Sequence, residues 1–347
     1  MASHPIRWGI LGTGRIATKF ITGLHAVEDA VIAAVGSRAQ ATADEIAEVH
    51  GIPTRHGSYD ALANDPGVDV IYVATPHSAH RDATILCLDA GKPVLCEKPF
   101  AINASEAEHM VATARSRDLF LMEAMWTRFR PAVVKLREVL AAGTIGEPRM
   151  LTSDLGWQAR FNPEGRLFAP ALGGGALLDA GVYSVSFASM VLGPPTSVSG
   201  LAHLGDTGVD EQAGIVLGDD AGRLAVLGIT IQTSGQTVAT IMGTEGRIDI
   251  DRPWHSPESF TIYRHGEAPE PHRFPLESGN GYQFEAMEVM RCLRAGERES
   301  PSMPLDETVA IMRTMDTLRA AWGLRYPADD ETLGRMDIAS AQLPANA

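Results

Sequence analysis

Cysteine is scarce in this chain: Cys87, Cys96 and Cys292 are the only three, and no two of them form a CxxC pair. That argues against a disulfide framework and for reduced thiols, with Cys96 read as a small core residue of a strand. Basic residues are short as well. Lys and Arg number 29 against 43 Asp and Glu, a formal net charge of −14. Nucleic acid and anionic membranes both select basic surfaces, so neither is an expected partner. No charged-then-apolar leader, twin-arginine signal or apolar run of bilayer-spanning length is read, and a cytoplasmic protein is the expectation. His-Glu-x-x-His and Gly-x-Ser-x-Gly, two signatures of hydrolytic chemistry, are missing. His77-x-x-His80 has no supporting Cys or His cluster, so no metal site is expected. Apart from a polar tail after Pro327 there is no low-complexity segment, and no internal repeat.

What is present divides into two grammars. A chain of 347 residues is long enough for two domains. Through residues 1–124, short apolar strands alternate with helical patterns: strands over Ile6–Leu11, Val31–Val35, Val70–Ala74, Pro93–Cys96 and Leu119–Met122, and helices over Ile16–His25, Thr42–His50 and Ala79–Ala90. A further helix is read from Ser105, with Glu108 at the capping-box spacing. Near-continuous apolar strands separated by helices indicate a doubly wound parallel sheet, a Rossmann α/β domain. Over residues 125–347, strand patterns follow one another with few helices between them, then helices at Gln283–Ala295 and Asp306–Trp322. This predicts an α+β domain with an open, mostly antiparallel sheet. Leu224–Ile231 is apolar on both alternating registers. It is either a subunit interface or a strand buried within its own chain.

Two motifs carry chemistry. Gly12-x-Gly14-x-x-Ala17 follows the first strand and opens a helix, where Gly12 permits a tight turn and Gly14 lets amides approach a pyrophosphate, with Arg15 and Ile16 next in line. After the second strand comes Val35-Gly36-Ser37-Arg38, with no acid from Val31 to Thr42. An acid there would accept from a ribose 2′-hydroxyl, whereas Ser37 and Arg38 suit a 2′-phosphate, which favours NADP. A solvated Arg38 in an ordinary loop is the alternative, and it leaves NAD open. Glu97-Lys98-Pro99 then places a lysine at the carboxyl edge of the sheet, where ligands sit in this fold, and a cis bond at Pro99 would aim Lys98 inward. A surface lysine in a polar turn would give the same letters. Asp179-x-x-x-Tyr183, after Gly173-Gly174-Gly175, places an acid and a phenol on one helical face; a helix-start carboxylate and a core aromatic would read alike.

Together with Glu123-x-Met125-Trp126-Thr127-Arg128-Phe129-x-Pro131, these motifs resemble the Gfo/Idh/MocA oxidoreductases over about Ile6 to Pro327. The likeness is to the branch containing dimeric dihydrodiol dehydrogenase and NADP-dependent D-xylose 1-dehydrogenase. It implies hydride transfer between NADP, or NAD, and a hydroxyl-bearing carbon of a sugar, cyclitol or vicinal diol, and a homodimer or homotetramer paired through the carboxyl-terminal sheet. A closed redox cycle on a tightly held cofactor, giving epimerisation or elimination, and a non-catalytic NADP-dependent sensor stay open. Carried over by motif, Lys98 and Tyr183 share the acid–base role, with Tyr183 as a phenolate stabilised by Lys98, and Asp179 orients them. Thr75, Pro76, His77, Glu97 and Lys98 are expected at the cofactor, and His77, Trp126, Arg128, Phe161 and Phe284 along the pocket wall.

Overall fold

The computed structural model describes residues 4–330. Of the polar tail after Pro327, residues 331–347 lie outside them. Six strands, β1 (Ile6–Leu11), β2 (Ala30–Gly36), β3 (Thr54–His56), β4 (Val70–Val73), β5 (Val94–Glu97) and β6 (Leu121–Ala124), form a parallel sheet in the order β3-β2-β1-β4-β5-β6. The helices α1 (Arg15–Leu24), α2 (Gln40–His50), α3 (Tyr59–Ala63), α4 (His80–Asp89) and α5 (Ala104–Ser116) connect them. The strand order reverses between β1 and β4, and the crevice beyond their carboxyl ends is where such sheets bind ligands. Every residue of β4, β5 and β6 is buried, as a sheet covered on both faces requires.

The second part begins with α6 (Pro131–Ala141) and β7 (Pro148–Gly156), followed by a π-helical turn (Leu177–Gly181) running into α7 (Val182–Leu192). The strands β8 (Ser197–Leu204), β9 (Asp210–Gly218), β10 (Leu224–Thr230), β11 (Ala239–Gly243), β12 (Gly246–Ile250), β13 (Ser259–Arg264) and β14 (Glu270–Arg273) complete an eight-stranded sheet. Its order is β14-β13-β12-β11-β7-β10-β9-β8, antiparallel throughout except for β7 with β10. The expected two-part fold is observed. α7 packs on β7 and β10, whereas the closing helices α8 (Gln283–Ala295) and α9 (Leu305–Trp322) reach back to the first part. Asn280 donates to the carbonyl of Lys19 on α1 (2.8 Å), and Arg313 of α9 pairs with Glu108 of α5 (2.7 Å).

Several expectations change. The cap of α5 is Asn103, whose side chain accepts from Glu106 N–H (2.9 Å) while Glu106 accepts from Ile102 N–H (3.1 Å), so the reciprocal pair sits two residues before Ser105 and Glu108. α6 was not signalled, because Pro131 reads as a breaker yet occupies N1, where its missing N–H is no loss. The short elements β3, α3 and β14 carry too few apolar residues to show a period. Pro170–Leu192 is, by length and composition, apolar enough to cross a bilayer, but 89% of the relevant window is buried inside the fold, and the segment breaks into different helical types. Finally, Ala225, Leu227, Ile229 and Ile231 are buried while Leu224 (44% exposed) and Val226 (39%) face outward, so the described residues do not enclose the strand.

Candidate active site

The cradle at the crevice follows from two glycines. Gly12 has φ +109°, and a Cβ there would lie 2.6 Å from the carbonyl oxygen of Ala74, because β1 and β4 run side by side. Gly14 precedes α1 with no side-chain cap, and a Cβ built on it meets nothing within 4 Å. The first amides of α1 therefore face an open hollow. Thr75 lies against Gly12, its buried hydroxyl unpartnered among the described residues. At the end of β2 the hydroxyls of Ser37 and Thr42 are 2.5 Å apart, and Arg38 stands exposed beside Tyr59. Uncapped amides, an open glycine turn and an orphaned hydroxyl fit a dinucleotide; Arg15 and Ile16 open α1 beside that turn, and Ser37 and Arg38 follow β2.

The β5 strand delivers Lys98 to the same edge, and the Lys98–Pro99 bond is cis. Lys98 Nζ donates to the main-chain oxygen of Asp179 (3.0 Å) and to its Oδ1 (3.3 Å), and lies 4.4 Å from the centroid of the Tyr183 ring. The Tyr183 hydroxyl accepts from Trp126 Nε1 (2.8 Å). Lys98, Asp179 and Tyr183 thus converge, although Asp179 sits in the π-helical turn and Tyr183 in the first turn of α7. Arg166, from the loop after β7, grips the same carboxylate at 2.7 and 3.2 Å.

Electrostatics separates the two acids around this lysine. Burial would raise the Asp179 pKa, but Lys98 and Arg166 outweigh it and hold the group well below the usual carboxylate range. Burial pushes Glu97 up to about 7, opposed by the Tyr72 hydroxyl and Lys98. Its oxygens accept from Tyr72 and from Lys98 N–H (3.1 Å) beneath the turn. Tyr183 departs from expectation. Burial, with Glu97, Asp179 and Glu285 adding to it against the Trp126 bond, raises its pKa well above the usual phenol value. It rests as a phenol, and the lysine lies over its ring rather than at its oxygen.

Around this centre, His77 is buried with Nδ1 3.0 Å from the carbonyl oxygen of Gly173, and burial lowers its pKa to about 3, so Nδ1–H donates as part of a neutral ring. It ties the Thr75-Pro76-His77 loop to the glycine run before Asp179. Trp126, bonded to the Tyr183 hydroxyl, stacks on Tyr282 with ring centroids 4.5 Å apart. Arg128 is not a wall residue: it is buried and clamps Glu307 (2.7 and 2.8 Å) and Ser186, joining the Trp126 turn to α9 and α7. Phe284 packs on the core while Tyr282, two residues earlier, takes the place expected of it. Phe161 is 52% exposed and edge-on to Phe168 at 5.0 Å. The sequence pattern gave no sign of Arg166 or Tyr282. His255, 5.4 Å from Tyr183 between ring centroids, had one weak signal, a Trp-His pair between two prolines.

Comparison with known proteins accords with this geometry. Residues 6–125 match the oxidoreductase family with an NAD-binding Rossmann fold, and residues 133–249 match the GFO/IDH/MocA C-terminal domain. The chain is 40% identical to human trans-1,2-dihydrobenzene-1,2-diol dehydrogenase over 93% of its own length and 99% of that protein's, and 38% identical to the mouse enzyme at the same coverage. Among solved structures it is similar to aldose-aldose oxidoreductase from Caulobacter crescentus (TM-score 0.83, 25% identity, 92% of this chain and 97% of that one). It is also similar to the 3-ketoreductase KijD10 from Actinomadura kijaniata in complex with NADP and TDP-benzene (TM-score 0.81, 26% identity, 91% and 98%). With both family models matched in order along the chain and a relative 40% identical over nearly all of it, the chain belongs to the Gfo/Idh/MocA oxidoreductase family.

Proposed function

We propose that this chain is an NADP-dependent oxidoreductase that moves a hydride between the nicotinamide and a hydroxyl-bearing carbon of a vicinal diol, sugar or cyclitol. The observation that carries the reading is Lys98 bonded to Asp179 over the face of Tyr183 at the carboxyl edge of the dinucleotide cradle. The cofactor, when bound, supplies the carbon that accepts or returns the hydride. The chain handles the proton. Asp179, kept ionised between Lys98 and Arg166, fixes the ammonium and leaves it a further N–H for the substrate oxygen. In the reduction direction Tyr183, a phenol in the resting site, gives its proton to that oxygen as the hydride arrives; oxidation is the reverse, starting from the phenolate, which takes the alcohol proton beside the Lys98 ammonium. The similarity to dihydrodiol dehydrogenases supports a diol, and the sugar-acting structural neighbours support a sugar.

Ser37 and Arg38, with no acid beside them, support a 2′-phosphate on the adenine ribose. For the oligomer, the support is the face of the eight-stranded sheet that the described residues leave uncovered. Leu201, Val216, Leu224, Val226 and Val238 are exposed there, and Val216 pairs directly with Val226 across β9 and β10. A homodimer or homotetramer would cover this face. We place the domain boundary between Ala124 and Met125, where the parallel sheet ends.

The test is a screen for reduced nicotinamide by absorbance, with NADP and NAD in parallel, against vicinal diols, aldoses and inositols. Turnover of a diol or sugar with NADP is expected. Silence from a protein that binds NADP overturns the reading and favours the closed cycle suggested by the aldose-aldose oxidoreductase likeness. Nucleotide retained through desalting would mark that case.

A further inference from the structure

His255 lies in the turn between β12 and β13, and its main chain is held firmly. Thr127 donates its hydroxyl to the carbonyl oxygen of His255 (2.5 Å). The neighbouring Trp254 donates its amide to Thr237 O (3.1 Å) and its indole to Asp154 O (2.8 Å). The imidazole takes no part in this. Nδ1 is buried without a hydrogen-bond partner, and Nε2 bonds to no protein group among the described residues. Buried polar atoms in native proteins are nearly always paired, so a mostly buried ring with both nitrogens idle points to a partner outside the chain.

Its position says which partner. The ring stands 5.4 Å from the Tyr183 ring and 6.3 Å, edge-on, from Trp126, the indole that holds the Tyr183 hydroxyl. Lys98 is over the same tyrosine. A substrate whose reacting oxygen meets Lys98 and Tyr183 therefore extends its neighbouring carbon past the imidazole. Burial, with Lys98, Arg130 and Lys19 adding to it, lowers the His255 pKa to about 4, so at neutral pH the ring offers one donor and one acceptor. Arg130 is itself sealed beneath Trp126 and Gly281, out of reach of a ligand. The corner therefore suits an uncharged hydroxyl, which can donate or accept.

We propose that His255 is a substrate-binding residue that hydrogen-bonds the hydroxyl adjacent to the reacting carbon, so that the enzyme selects 1,2-diols over single alcohols. This rests on the functional reading above. The test compares each hydroxylated compound with its deoxy partner, trans-cyclohexane-1,2-diol with cyclohexanol and D-xylose with 2-deoxy-D-xylose, in wild type, His255→Phe and His255→Gln. For His255→Phe, KM for the vicinal compound is expected to rise about tenfold with kcat within about threefold. The deoxy partner and the NADP(H) dissociation constant are expected to be unaffected, and His255→Gln should recover most of the loss. Equal losses on both members of a pair, or a loss of nucleotide affinity alongside, would make the residue structural and overturn the assignment. Undiminished diol selectivity in His255→Phe overturns it as well. A wild type that turns over neither pair overturns the functional reading and this one together.

Discussion

The two halves of the site are built differently. On the first-domain side the residues come in consecutive runs: Gly12 to Ala17, Ser37-Arg38, Thr75 to His77 and Glu97 to Pro99. Each run follows the carboxyl end of a strand in one parallel sheet. On the other side Trp126, Arg166, Asp179, Tyr183, His255 and Tyr282 come from a 3₁₀ turn, a loop, a π turn, the start of α7, an inter-strand turn and the residue before α8. Parallel strands all end at one edge, so their loops share a neighbourhood by construction. An antiparallel domain sends alternate loops to opposite edges, and only folding decides which of them meet. The first half should therefore govern the cofactor and supply Lys98, and the second should complete the proton chemistry with Asp179 and Tyr183 and govern the choice of substrate.

That contrast breaks most visibly at Lys98. Lys98→Met is expected to lower kcat about 10³-fold or more on every substrate while NADP(H) binding, followed by fluorescence, survives. Tyr183→Phe should show the same pattern less severely, since Trp126 and Lys98 remain in place. Unchanged turnover in both would remove the acid–base assignment.

A second experiment asks how far the first half leans on the carboxyl-terminal helices. Glu123, at the end of β6, accepts from Phe100 N–H (3.2 Å) just past the Lys98 turn and from Thr308 of α9 (3.2 Å). Burial pushes its pKa from 4.5 up to about 7. Between those values the folded protein holds a proton that the unfolded chain releases, so stability falls as pH rises from about 4.5 to 7 and levels off above. The full loss is at most about 3 kcal/mol for this group. Glu123→Gln should flatten that part of the fall. Urea midpoints at about pH 5 and pH 8 measure it, and identical pH dependence in wild type and variant would show that Glu123 contributes none of it.

The smallest effect is expected at the far end of the cradle. Arg38→Ala should weaken NADP about tenfold in a titration and leave NAD nearly unchanged. Equal losses for both nucleotides would refute 2′-phosphate recognition and return Arg38 to the status of a loop residue.

Local chemistry was enough to read a good part of this protein from its residues alone. A glycine turn after an apolar strand needs no tertiary information to specify a phosphate cradle. The alternation of strands and helices over residues 1–124 then selects a parallel sheet and its ligand edge. Lys98, Asp179 and Tyr183 were legible as candidates through short motifs. Folding decided the rest, because charge and hydrogen bonding depend on neighbours distant in sequence. It set Asp179 between Lys98 and Arg166 and sank Glu97 beside Tyr72, so two acids on either side of one lysine diverge in opposite directions. It drew Arg128 away to Glu307 and left the His255 ring idle beside Tyr183. Among the described residues it also left one face of the eight-stranded sheet open, where the apolar run Leu224–Ile231 could equally have been enclosed. Spacing along the chain fixes which groups exist, and packing fixes the dielectric and the partners that determine what they do.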